Sequence, residues 1–113
     1  MAKHSRLLAA PPYPVEQALK SLGANLRIAR LRRNLGLDEV AEKIGVNRKS
    51  VADAERGKPS TGIGVYVALL WTFDLIGQFS DVADPTKDQE GLALALVRER
   101  TNARKTADLD NDF

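Results

Sequence analysis

The stretch LDEVAEKIGVNRKSVADAER, from Leu37 to Arg56, constrains the fold more than any other part of the chain. Val40 and Ile44 fall four residues apart before Gly45, and Val46, Val51 and Ala54 follow it, so one glycine separates two short apolar faces at helical spacing. Ala41 supplies a small side chain where two helices would cross most closely. Gly45 permits the left-handed backbone that a tight reversal between roughly perpendicular helices requires. Asn47 suits the N-cap of the second helix, and Gly57 stands just beyond its end. Together these features define a helix-turn-helix pair, which an arbitrary helical hairpin would match only in part.

The rest of the chain is also helical in pattern. Pro11, Pro12 and Pro14 cannot support a helix interior, so residues 1–14 are expected to form a flexible arm. Leu19, Leu22, Leu26, Ala29 and Leu31 then recur near three-to-four spacing and predict a helix over about 15–34, with Arg27, Arg32 and Arg33 on its outer face. GVYVALLWTFDL has a strand-like composition, but its length and its place after three helices predict a buried helix. IGQFSDVAD predicts one more short helix, Pro85 breaks the chain, and DQEGLALALVRER predicts a last helix. NARKTADLDNDF lacks apolar periodicity and is expected to be disordered. The expected plan is an all-α domain over 15–80, a helical extension over 81–100 and a disordered tail over 101–113.

A chain of 113 residues can bury one modest core. It has no cysteine, which excludes disulfides and thiolate metal sites, and its only histidine is His4. A nucleophile needs an activating base and a metal needs converging ligands, so catalysis is not expected and no cofactor is implied. TGIG is too short for a phosphate loop, and no strand precedes it. No apolar run reaches the roughly 18 to 20 residues of a membrane span and no signal peptide is evident, which points to the cytoplasm. Charge is divided unevenly: residues 1–60 hold 12 Lys/Arg against 6 Asp/Glu, and residues 61–113 hold 5 against 9. A polyanion would be drawn to the first half.

LRIARLRRNLGLDEVAEKIGVNRKSVADAERGK, within Leu22 to Ile76, resembles the Xre or lambda-repressor-like helix-turn-helix regulators. The resemblance implies a five-helix domain that binds double-stranded operator DNA as a homodimer, with the helix Asn47 to Glu55 in the major groove. It also suggests that Arg30 and Glu55 form a structural ion pair tying the first helix to the end of the third. YVALLWTFDL and ADPTKDQEGLALAL are similar to HipB-like antitoxins, which implies a HipA-like kinase toxin as partner and control of their shared operon. A stand-alone phage-like or metabolic repressor would share the DNA chemistry without that partner. In two places the chain departs from the regulators. Gly36 and Leu37 stand where the second helix commonly opens with Thr or Ser and then Gln, and Ala54 replaces a larger aliphatic, implying tighter packing or a small void.

With Val51 and Ala54 turned inward, Arg48, Lys49, Ala52 and Asp53 lie on the opposite side of the helix, with Ser50 toward its leading edge. Arg48 and Lys49 are the foremost candidates for reading bases, because either can donate to guanine O6 and N7. Ser50 could reach a base or a phosphate. Asp53 could accept from cytosine N4, or could repel phosphate and sharpen register. Asn47, Arg56, Lys58 and Ser60 flank the helix as candidates for holding phosphates. Lys3 and Arg6 form either a basic arm along the DNA or a solubilising end. Trp71, Leu92 and Leu96 are candidates for a dimer interface, the competing reading being that they complete one core.

Overall fold

The computed structural model describes residues 5–111, and among them every regular element is helical. The α-helices are α1 (Arg6–Ala9), α2 (Tyr13–Arg32), α3 (Leu37–Ile44), α4 (Arg48–Glu55), α5 (Ile63–Thr72) and α6 (Gln89–Asn111), with 3-10 turns at Ile76–Asp81 and Pro85–Lys87. The chain divides into two units, residues 1–79 and residues 80–113.

In the first unit α2 to α5 enclose one core. Leu26, Val40, Val51, Ala54, Tyr66, Leu69 and Phe73 are almost wholly withdrawn from solvent, and Leu19, Leu22, Ile44 and Val46 pack around them. Each large apolar side chain so buried contributes about 1.5 to 3 kcal/mol before the entropy of ordering is set against it. The backbones of α2 and α4 approach closely at Gly23. A Cβ built there would lie 2.5 Å from the Ala54 carbonyl oxygen and 2.6 Å from that of Glu55. The approach is to the backbone of Ala54, whose own side chain is wholly buried in the core.

All four of these helices end by the same device. Asn34, Gly45, Gly57 and Asp74 take positive φ, and the next residue's N–H reaches back across the last turn: Leu35 to Arg30, Val46 to Ala41, Lys58 to Asp53 and Leu75 to Leu70, at 2.7–3.2 Å. This closure satisfies carbonyls that would otherwise lack partners, and it usually buries a hydrophobic residue just past the end. Leu35, Val46 and Leu75 do pack on the core. At α4 that position is Lys58.

Several expectations are corrected. Within the N-terminal arm, Arg6–Ala9 forms a one-turn helix whose Leu8 N–H donates to Ser5 Oγ (3.2 Å); Lys3 and His4 lie outside the described residues. Helix α2 starts at Tyr13, two residues early, because Pro14 sits in its first turn, where the missing N–H costs no hydrogen bond. Arg33 is exposed as expected, yet it is not free: its guanidinium donates to the Ala29 and Phe73 carbonyls, both at 2.9 Å, and lies 5.4 Å from the Phe73 ring centre. The short helix expected at IGQFSDVAD does form, as a 3-10 helix over Ile76–Asp81.

In the second unit Asp84 caps the turn at Pro85, accepting from Thr86 N–H (2.9 Å) and Thr86 Oγ1 (2.8 Å), and these bonds hold its carboxyl below the ordinary range. The tail expected to be disordered after Thr101 is instead a continuation of α6 to Asn111. No glycine or proline interrupts residues 92–111, and Ala103, Arg104, Lys105 and Ala107 are good helix formers, so the helix extends without an apolar stripe to call for it.

Candidate nucleic-acid interface

Helix α4 is begun by Asn47, whose Oδ1 accepts from the Ser50 N–H (2.8 Å) and from Ser50 Oγ (2.9 Å). This pair of hydrogen bonds sets the start of the helix and spends the Ser50 hydroxyl proton. Ser50, half-buried, therefore has only lone pairs to offer a base, and Asn47 has its amide nitrogen left for a phosphate. Arg48 and Lys49 follow on the first exposed turn. The Arg48 guanidinium lies 3.7 Å from Asp38 on the first turn of α3, but at 65% and 77% exposure this pair contributes little to stability and can open when a stronger anion approaches.

The far end of α4 is anchored from within. Arg30 donates from Nε to one Glu55 oxygen (2.6 Å) and from Nη2 to the other (3.0 Å), while Nη1 donates to the Leu35 carbonyl (2.8 Å). Both side chains are more than nine-tenths buried, so this forked pair fixes the angle between α2 and α4 and pins the turn into α3. The hydrogen bond to Glu55 outweighs desolvation and raises the Arg30 pKa further above its already high ordinary value.

Asp53 is corrected as a base-reading candidate. It is only 13% exposed and is engaged with the C-terminal end of α4, paired with Arg56 and 3.7 Å from Lys58 Nζ. Its partial desolvation pushes the carboxyl up, yet the Arg56 hydrogen bond and the charges of Lys58, Lys49 and Arg56 outweigh that and leave it below the ordinary carboxylate value. Arg56 and Lys58 themselves reach into solvent, and Ser60 is exposed in the loop beyond. Lys58 is fixed at its backbone, since its carbonyl accepts from the buried Tyr66 hydroxyl (3.2 Å), a phenol whose pKa burial raises. Leu8 to Pro11, with Glu16 and Lys20, border the groove that Arg56 and Lys58 line.

Trp71 is exposed on α5, with Lys43 Nζ 5.5 Å from its ring centre, so it does not complete the core; Leu92 and Leu96 are exposed on α6. Sequence reasoning missed Gly23 and the Asp38 and Lys43 contacts. Gly23 did carry a signal, because a glycine in a helix interior is costly unless something approaches its backbone.

Two short helices joined through a left-handed Gly45, the second presenting a basic first turn and anchored from behind, make this a helix-turn-helix protein. The chain is 41% identical over 51 residues to an uncharacterized HTH-type transcriptional regulator, y4mF, of Sinorhizobium fredii, a match covering 45% of this chain and 67% of that one. The chain belongs to the helix-turn-helix transcriptional regulators. No family model matches it, and no solved structure does. No helix among the described residues is long and apolar enough to cross a membrane.

Proposed function

We propose that this chain is a sequence-specific repressor of the Xre type that binds operator DNA as a homodimer, with α4 in the major groove. The observation that carries the reading is the placement of Arg48 and Lys49 at the exposed start of α4, while Val51 and Ala54 on its other side are wholly buried. Arg48 and Lys49 donate to guanine edges, with Ser50 as a minor acceptor. Asn47, Arg56, Lys58 and Ser60 hold phosphates, which set orientation and carry no sequence information. Each good base contact gains only about 1 to 3 kcal/mol of discrimination, so two copies on a two-fold operator are needed. Trp71, Leu92 and Leu96 are candidates for the surface that joins them.

The protein works by binding and not by catalysis, in the cytoplasm, as the antitoxin of a HipA-type kinase toxin whose operon it represses. The similarity of residues 66–75 and 83–96 to HipB-like antitoxins supports this. Co-purification with a kinase distinguishes it from a stand-alone repressor. Binding to its own promoter tests the DNA reading: about 6 to 10 phosphate contacts per dimer cost roughly three to five decades of affinity between 50 and 200 mM salt. Arg48→Ala with Lys49→Ala should abolish preference for the promoter while the melting temperature stays within a degree or two. A double variant with the wild-type footprint would sink the assignment.

A further inference from the structure

An acidic residue on the DNA-facing side of a recognition helix ought to weaken binding, since it faces a polyanion. The surroundings of Asp53 give the opposite expectation. Its carboxylate is the enclosed member of a three-residue cluster, at 13% exposure, whereas Arg56 and Lys58 are 69% and 47% exposed. One Asp53 oxygen is paired with Arg56 Nη2 and the other lies 3.7 Å from Lys58 Nζ, so a single carboxylate addresses two cations at once. The backbone is tied in as well: the Lys58 N–H donates to the Asp53 carbonyl (3.0 Å), and the Tyr66 hydroxyl holds the Lys58 carbonyl. Where α2, α3 and α5 close with a leucine or valine directed into the core, α4 closes with this lysine, held at both ends by groups that are themselves partly or fully buried.

We infer that Asp53 is a positioning residue that presets Arg56 and Lys58 as a two-pronged phosphate clamp, so that its carboxylate strengthens DNA binding. The inference rests on the DNA-binding reading above. Free arginine and lysine side chains lose rotamer freedom when they seize a phosphate; held by Asp53, they lose much of it on folding instead. The cluster keeps a net positive charge, because two cations surround one anion, and the exposed guanidinium and ammonium hydrogens stay available to phosphate oxygens.

Simple repulsion and positioning predict opposite signs for Asp53→Asn. The substitution preserves shape and removes one negative charge, so repulsion alone predicts tighter binding to any duplex. Positioning predicts weaker binding by about tenfold, equal on the promoter duplex and on an unrelated duplex, since phosphate contacts are blind to sequence. Dissociation constants are measured for both duplexes between 50 and 200 mM salt, with thermal melting as the check on folding, in the wild-type chain, Asp53→Asn, Arg56→Ala/Lys58→Ala and the triple variant. Within the Arg56→Ala/Lys58→Ala background the Asp53 substitution should cause no further loss, only the slight gain that removing a negative charge gives, a result that general destabilisation would not produce. Equal or tighter binding by Asp53→Asn overturns the inference, as does a loss confined to the promoter or one that persists without Arg56 and Lys58. A wild-type chain that binds neither duplex overturns the DNA reading itself, and this role with it.

Discussion

Gly23→Ala tests how closely α2 and α4 are packed. The new methyl would lie 2.5 Å from the Ala54 carbonyl oxygen, 2.6 Å from that of Glu55 and 2.8 Å from the Glu55 carbonyl carbon, all backbone atoms that no rotamer change can move. Ordinary contact begins near 3.4 Å, so the end of α4 must retreat by about 0.9 Å. Overpacking of this kind costs about 1 to 3 kcal/mol and sometimes more. Alanine in a helix interior gains back about 1 kcal/mol, but the retreat also stretches the buried 2.6 Å Arg30–Glu55 bond, which costs about as much again and offsets that gain. The net expectation is a destabilisation of about 1 to 3 kcal/mol, or a melting temperature lower by about 5 to 20 °C for a unit of this size. The matched control is Gly64→Ala, in α5, where nothing lies within 4 Å of the added methyl; it should raise stability by up to about 1 kcal/mol. Thermal melting followed by far-ultraviolet circular dichroism reads both. A Gly23→Ala chain that melts at or above the wild type would refute the close approach and, with it, the geometry that sets α4.

Three further outcomes are expected. Glu55→Gln leaves the buried Arg30 guanidinium short of a counter-charge and should lower stability by about 3 kcal/mol in denaturant melts, far more than an exposed pair such as Lys20–Glu16 could contribute. Asn47→Ala removes the acceptor for the Ser50 N–H and should cost about 1 kcal/mol, with the loss appearing as fraying of α4 in amide exchange. Carbon-13 titration of Asp53 should give a carboxyl pKa below the unfolded value of about 3.9, and Arg56→Ala should bring it upward. Because its folded-state pKa is depressed, the pairing of Asp53 stabilises the fold above the unfolded pKa and is lost as pH falls through the folded one; a carboxyl that titrates above 3.9 would contradict the pairing with Arg56 and Lys58.

The helix-turn-helix was legible because its constraints are local. Val40, Ile44, Val51 and Ala54 declare their faces by spacing alone, and Gly45 and Asn47 mark boundaries through backbone conformation and capping, both of which act within a few residues. What was not legible depends on partners distant in the chain or on the path of a side chain. Arg33 looks like one more surface cation until Phe73, forty residues later, offers a carbonyl and a ring. The helix over 101–111 is hidden in the sequence for a different reason: apolar periodicity reports burial, and a helix formed by good helix formers without a buried face leaves no such mark.

Asp53 shows where helical periodicity stops being a sufficient guide. Angle around the axis puts it on the side of α4 opposite Val51 and Ala54, next to Lys49, and so among the groups that could face a base. Position along the axis decides otherwise. Residue 53 is in the last turn, where Gly57 reverses the chain and returns Lys58 alongside it, so its carboxylate meets cations of its own chain before it meets any ligand. The same logic supports the proposed role of Arg48 and Lys49 as readers of bases: they stand at the opposite end, where Arg48 meets the exposed Asp38 only loosely and that contact can be exchanged for a base edge. The proposed division of labour along α4, with base-reading side chains in its first turn and the Asp53-held cations at its far end, rests on which end the chain folds back upon.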